Sequence, residues 1–191
     1  GINTRMIYLL YDDGSRSEKV ILNELGGCKG IIQSDGYSPY RKLESDAYPH
    51  ITRIPCLQHI KRKFIDCGED EPDAKRIVEL INTLYQNEHK HKIGVDGWTV
   101  EQNLVHRKKY APDILGEIKD VLDDIEERGD LLPKSELKEA ITYLRNEWNA
   151  VVDIFNYGDT YLDNNIVERM NRYISLSRKN SLFFGSHKGA E

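Results

Sequence analysis

Gly30-Ile-Ile-Gln-Ser-Asp-Gly-Tyr-Ser-Pro-Tyr-Arg41 decides the fold class of this chain. Its apolar start reads as a strand over 30–35 that ends on an acid, Asp35. Gly36 to Tyr40 then turns into a short helix. Downstream, Ile51-Thr-Arg-Ile54 reads as another strand, stopped by Pro55. Upstream, Met6-Ile-Tyr-Leu-Leu-Tyr11 is an earlier strand that halts at Asp12-Asp13-Gly14. A helix follows from Ser15 or Ser17, with Val20, Ile21, Leu22 and Leu25 as its apolar side and Gly26-Gly27 as a C-terminal glycine pattern. Strand, helix, strand, helix, strand is an α/β order.

From Leu57 the character changes, and helices are expected over 57–67, 73–88, 99–110, 113–128, 135–156 and 162–175. Two are strongly periodic: Ile114, Leu115, Ile118, Val121, Leu122 and Ile125 in one, and Leu137, Ile141, Leu144, Trp148, Val151 and Phe155 in the next. They read as an antiparallel pair, with Gly129 to Pro133 as the turn and Pro133 or Ser135 opening the second helix. Three strands are few for so many helices, so the sheet reads as truncated on its N-terminal side.

With 191 residues, 39% hydrophobic and 31% charged, the chain suits one globular domain, or one domain carrying an insertion. No apolar run approaches the roughly 20 residues of a membrane span. The start at Gly1 without Met, with no signal-peptide architecture, reads as a fragment. Cys28, Cys56 and Cys67 lack a C-x-x-C pair, which fits a reducing compartment such as the cytoplasm. Cys56 and His59 have C-x-x-H spacing, but no second ligand pair follows, so no structural zinc is expected. A net charge of -5 excludes a protein that coats nucleic acid with its whole surface. Bases nevertheless cluster at His59–Lys63, His89–Lys92, His106–Lys109 and Arg169–Lys179, and such patches either track phosphates or are solvated surface.

Two acids stand out. At about 100° per residue, Ile166, Val167, Met170, Tyr173 and Ile174 form one stripe of the last helix, and Glu168 points away from it beside Asn164, Asn171, Arg172 and Ser175. A Glu on a polar face is ordinarily a solvated charge. Asn and Ser are poorer helix formers than an idle face would use, however. Asp35 sits at a strand tip, the edge where α/β proteins bind ligands, although an Asp there also caps turns. Together Asp35 and Glu168 make two hard oxygen ligands suited to magnesium or manganese.

Gln33-Ser-Asp-Gly-Tyr37, Pro55-Cys-Leu-Gln-His-Ile-Lys-Arg-Lys-Phe64, Leu132-Pro-Lys-Ser135, Asp163-Asn-Asn-Ile-Val-Glu-Arg169, and Arg178-Lys-Asn180 with Gly185-Ser186 occur in that order. In this the chain resembles the insertion sequence 66 family of bacterial transposases. The resemblance implies an α/β, ribonuclease-H-like domain with a truncated mixed sheet, residues 1–68 and 158–191 forming the core. A large helical insertion, 69–157, precedes the last catalytic helix. It also implies an Asp-Asp-Glu site for divalent Mg or Mn, not needed for folding. Asp35 matches the second acid and Glu168 the third; the first lies upstream of Gly1, and Asp12 and Asp13 are assigned to a turn. The expected parent activity is metal-dependent phosphodiester cleavage and strand transfer at transposon ends, with this fragment inactive for want of the first acid. The alternatives are a DNA-binding or self-association module from a decayed element, and a related nuclease.

DNA is the expected partner, in a homo-oligomeric assembly and without a membrane. His59, Lys61, Arg62, Lys63, Arg169, Arg172, Arg178 and Lys179 are candidates for backbone contacts. His59 is equally a proton-transfer group or a structural histidine. Asn164, one turn before Glu168, is placed to orient it or a water on the metal. Tyr37 and Tyr40 are candidates for stacking on a base, core packing being the other reading. Trp98, Tyr110 and Trp148 read as core aromatics.

Overall fold

The computed structural model describes residues 17–165, 167–169 and 172. The strand expected at 6–11 lies outside these residues, as do Arg178 and Lys179. Helix α1 (Glu18–Leu25) leads into strand β1 (Gly30–Ser34), then α2 (Ser38–Arg41) with a 3-10 turn at Lys42–Glu44, and β2 (Ile51–Pro55). Four longer helices follow: α3 (Leu57–Asp66), α4 (Pro72–Glu88), α5 (Val100–Arg128) and α6 (Glu136–Ile154). The class is mixed α/β, as the sequence predicts.

β1 and β2 pair in parallel, from Gly30 opposite Ile51 to Ser34 opposite Pro55. A parallel pair needs a crossover between its strands, which α2 and the 3-10 turn supply. Both strands therefore end at the same edge, and Asp35 and Cys56, each one residue past the last pair, leave it side by side. Gly26 ends α1, but not in the left-handed conformation of a glycine cap: its φ is -62°. Lack of a Cβ matters here because one would lie 2.5 Å from the Leu22 carbonyl oxygen and 2.7 Å from the Tyr48 ring.

One apolar core runs from Ile54 to Leu162 through all four long helices. Its inward positions recur at helical spacing: Leu57, Ile60 and Phe64 in α3; Ala74, Ile77, Ile81 and Leu84 in α4; Leu137, Ile141, Leu144 and Val151 in α6. α3 packs against α4 and α6, α4 against α5, and α6 against β2. α5 and α6 run antiparallel as expected, with Asp123 against Arg145, Tyr110 against Phe155 and Lys108 against Asn156. The apolar stripe of α6 also packs on α3 and β2, and its Arg145 bridges Asp123 and Glu126 of α5.

α5 runs unbroken through Pro112, where two helices meeting at 110–113 are expected. Proline removes one intrahelical hydrogen bond, but the buried stripe is continuous across it. Asn103, Arg107, Ala111, Ile114, Ile118, Leu122 and Ile125 all face inward, while Pro112 is on the exposed side. A capping box at Thr99 and Gln102 opens the helix.

Two buried arginines tie the body together. In β2, Arg53 pairs with Glu147 of α6, both side chains fully buried, and with Glu44. Arg41 adds a bond to Glu147 at 2.8 Å. In α5, the Arg107 guanidinium binds the Glu88 carboxylate and the carbonyl oxygens of Ile154, Tyr157 and Thr160. Arg107 therefore leaves the surface basic cluster expected at 106–109 and holds the chain that returns from α6.

Candidate functional site

Asp35 follows β1 directly and its Oδ1 accepts the Tyr37 backbone N–H at 3.1 Å, a local turn that the Asp-Gly-Tyr sequence favours. Gly36 lies beneath Tyr143 of α6: a Cβ there would sit 1.9 Å from the tyrosine hydroxyl. Burial, with the negative charges of Glu147 and Asp35, pushes the Tyr143 hydroxyl up to about 12. Tyr40 is raised for the same reasons, burial first and the Asp35 charge next. Asp35 thus emerges among neutral phenols, with Tyr37 meeting Tyr40 edge-on at 6.2 Å.

The second acid to reach this edge arrives through the returning chain. Gln33 of β1 donates its side-chain amide to the Pro55 carbonyl at 3.2 Å and to the Tyr161 carbonyl at 2.8 Å. The Leu57 N–H, at the start of α3, donates to the Leu162 carbonyl at 2.9 Å. Residues 161–164 therefore cross the strand tips, and helical structure begins at Asn165, three residues later than the sequence predicts. The Asn164 carbonyl accepts the Val167 and Glu168 N–H groups, which starts that helix.

This anchoring fixes which way the helix faces. Val167, on the expected apolar stripe, is 59% exposed, whereas the Glu168 carboxylate lies 3.6 Å from His59 Nε2. Val167 is the one member of that stripe among the described residues, and docking of the preceding segment leaves it outward. Ile166, Met170, Tyr173 and Ile174 lie outside the described residues.

Cys56, His59 and Glu168 each bring a ligand atom within 4.8 Å of the others. Cys56 was missed as a site residue because its C-x-x-H spacing lacks a second pair in sequence. Its third partner arrives from the far end of the chain. Burial pushes the Cys56 thiol up, opposed by backbone N–H groups of Asn164, His59 and Gln58. Asp35 stands outside this trio: its neighbours are Tyr40 and Tyr143, while those of Glu168 are His59 and Cys56. Asn164 turns its side-chain oxygen inward, buried and without a hydrogen-bond partner among the described residues.

Among the described residues the ion pairs are made by arginines and one histidine, and the lysines, Lys61 and Lys63 included, are in none. The arginines are Arg41, Arg53, Arg76, Arg107, Arg128 and Arg145. Among the described residues Arg62 is in none either, and it lies with Lys61 and Lys63 on α3, which leaves the strand tips. Arg169 and Arg172 are exposed. On the other side of the returning segment, Arg169 shares a groove of about 610 Å³ with His89, His91 and Lys92. His91 stacks on Trp98 at 3.8 Å. Trp98, Tyr110 and Trp148 are half-buried, the last two packed on the core.

Residues 2–191 match the family described as "Transposase IS66 family". The chain belongs to the IS66 family of transposases. Similar curated proteins come from Sinorhizobium fredii (strain NBRC 101917 / NGR234). The uncharacterized protein y4jD is 30% identical over 93% of this chain. The uncharacterized proteins y4qI and y4hP are 29% identical over 99% and 26% identical over 96%. This IS66-family chain spans 35% of the length of each. No solved structure matches it. Among the described residues no helix is long and apolar enough to cross a membrane.

Proposed function

We propose that this chain supplies the second and third acids, Asp35 and Glu168, of a ribonuclease-H-like catalytic centre. In the whole protein that centre cuts and joins DNA at transposon ends. Residues 1–68 and 158–191 form its core and 69–157 a helical insertion. The observation that supports this most is the docking of the returning chain across two parallel strand tips. It brings Glu168 to the edge from which Asp35 emerges.

The donor chemistry fits divalent magnesium or manganese. Asp35 accepts one backbone bond at Oδ1, and Glu168 is half-exposed with its carboxylate turned to the edge; hard carboxylate oxygens of this kind suit either ion. When bound, the ion supplies charge stabilisation and an activated oxygen nucleophile for in-line displacement at phosphorus. The chain's own residues hold the substrate. Lys61, Arg62 and Lys63 face the DNA backbone from α3, and Arg169 and Arg172 face it from the last helix. Gly36 and Tyr143 fix the turn that carries Asp35.

Two outcomes are expected. In the full-length protein, Asp35→Asn and Glu168→Gln should each reduce magnesium-dependent cleavage of transposon-end DNA by roughly 100-fold or more. Glu79→Gln, at an exposed position of α4, should leave the rate unchanged. Wild-type cleavage by either acid variant would refute the assignment. Separately, replacing Lys61, Arg62 and Lys63 by Ala should make the plot of log affinity against log salt shallower by about 2 to 3. An unchanged slope would remove α3 from the interface.

A further inference from the structure

We propose that Cys56, His59 and Glu168 form a binding site for a borderline divalent transition ion of the zinc or cobalt class. A thiol, an imidazole and a carboxylate lie within 4.8 Å of one another here. That donor set discriminates against magnesium, which takes oxygen ligands, and in favour of ions that accept sulfur and nitrogen.

The state of His59 is the second, independent observation. Its Nε2 is 3.6 Å from Glu168, too long for a hydrogen bond. Its Nδ1 is buried and has no hydrogen-bond partner among the described residues. Buried ring nitrogens are ordinarily satisfied, so the lone pair of this imidazole is free for an ion, while the hydrogen bond that usually orients a ligand histidine is not made among the described residues. Asn164 Oδ1 is buried and unpartnered in the same way. The Asn164 backbone N–H limits the rise of the Cys56 thiol, which puts the residue next to the set.

Rigidity and access suit the role. Cys56, 1% exposed, is the residue from which α3 starts; burial pushes its thiol up, so the incoming ion is what displaces the proton. His59 and Glu168 keep 35% and 45% of their side chains exposed, so the ion has a route in and these two ligands have room to close. Tetrahedral zinc bonds of about 2.0–2.3 Å hold ligand atoms about 3.5 Å apart, a contraction of the order of 1 Å. The cap residue and the third residue of α3, at C-x-x-H spacing, plus one carboxylate leave a fourth coordination position open.

Because Glu168 is common to this trio and to the magnesium reading, an ion bound here withdraws it from Asp35. That consequence alone rests on the proposed function; the binding does not. Cobalt titrated into the purified chain under reducing conditions tests it. A single ion should bind, with the near-ultraviolet absorption of a cobalt–thiolate bond, and a large excess of magnesium should not displace it. Cys56→Ser should abolish that absorption, while Cys28→Ser with Cys67→Ser should leave it intact. His59→Ala and Glu168→Gln should each weaken binding by about tenfold or more.

Glu168 is half-exposed, so its variant carries the test even if Cys56→Ser fails to fold. Wild-type affinity in Glu168→Gln, a thiolate band that survives Cys56→Ser, or the absence of any such band in the wild type would overturn the site. None of these results bears on magnesium-dependent cleavage, which is read with DNA in the full-length protein.

Discussion

Arg107→Ala is expected to lower the stability of the chain by about 3–5 kcal/mol. The guanidinium is fully buried and serves two groups of acceptors. Glu88, at the end of α4, takes a two-pronged bond. The carbonyls of Ile154, Tyr157 and Thr160 and the Thr160 hydroxyl take the rest. Truncation strands all of these acceptors in the interior, where an unpaired charge is far costlier than an unpaired neutral group. Lysine cannot substitute, because it lacks the planar fork. Urea unfolding measures the effect, and an unchanged m-value with a lower midpoint would mark it as a loss of native stability.

A pH arm makes this prediction sharper. Burial pushes the Glu88 carboxyl up, but the hydrogen bonds and charge of Arg107, helped by Tyr110 and Asn103, outweigh it and hold the group below its ordinary value of 4.5. A depressed carboxyl contributes stability that is present above the unfolded value and lost as pH falls through the folded one. Wild-type protein should therefore lose stability on acidification below about pH 4.5 more steeply than Arg107→Ala does. Parallel curves would mean that the pair is not linked to folding.

Glu147→Ala should be about as damaging, at about 3–5 kcal/mol, through a different joint. Arg53 lies in β2 with a fully buried side chain and meets the fully buried Glu147 from α6. Without that carboxylate it retains Glu44, which is 39% exposed, and a long contact to the Ser34 hydroxyl at 3.4 Å. Arg41 loses its partner as well. For a domain of this size the loss corresponds to a melting temperature lower by roughly 6–20 °C. Replacing both members, as Arg53→Met with Glu147→Leu, should recover most of it, because a buried pair costs little when removed whole. Failure of the double variant to recover would assign the damage to packing.

The α/β class was legible because strand patterning and glycine turns are local, and Gly30 to Pro55 contains the whole unit. The helices of α3, α4 and α6 were legible from apolar spacing. The two halves of α5 were legible too, but their continuity was not, because two inward positions of the first half are Asn103 and Arg107. A hydrophobic pattern treats these as surface, so Pro112 looked like a boundary. The same blindness hid Arg53 and Glu147, whose burial depends on finding each other across the fold. Asp35 and Glu168, the acids proposed for the site, were singled out by position, polarity and the family resemblance. The nearness of Cys56 to Glu168 was not legible, since it depends on where residues 161–164 are tied down. The outward turn of Val167 has the same origin.

The hydrogen bond from Gln33 to Tyr161 joins groups 128 residues apart. At roughly 5–20 residues per second, the ribosome needs on the order of ten seconds to make the chain between them. Through that interval the strand tips are already synthesised while the segment that crosses them is not, and Glu168 has yet to be added. A protein stalled or cleaved within the helical stretch would carry Asp35 and Cys56 but neither the strap nor the last carboxylate. Synthesis past Glu168 is thus itself a checkpoint on the assembly of this edge.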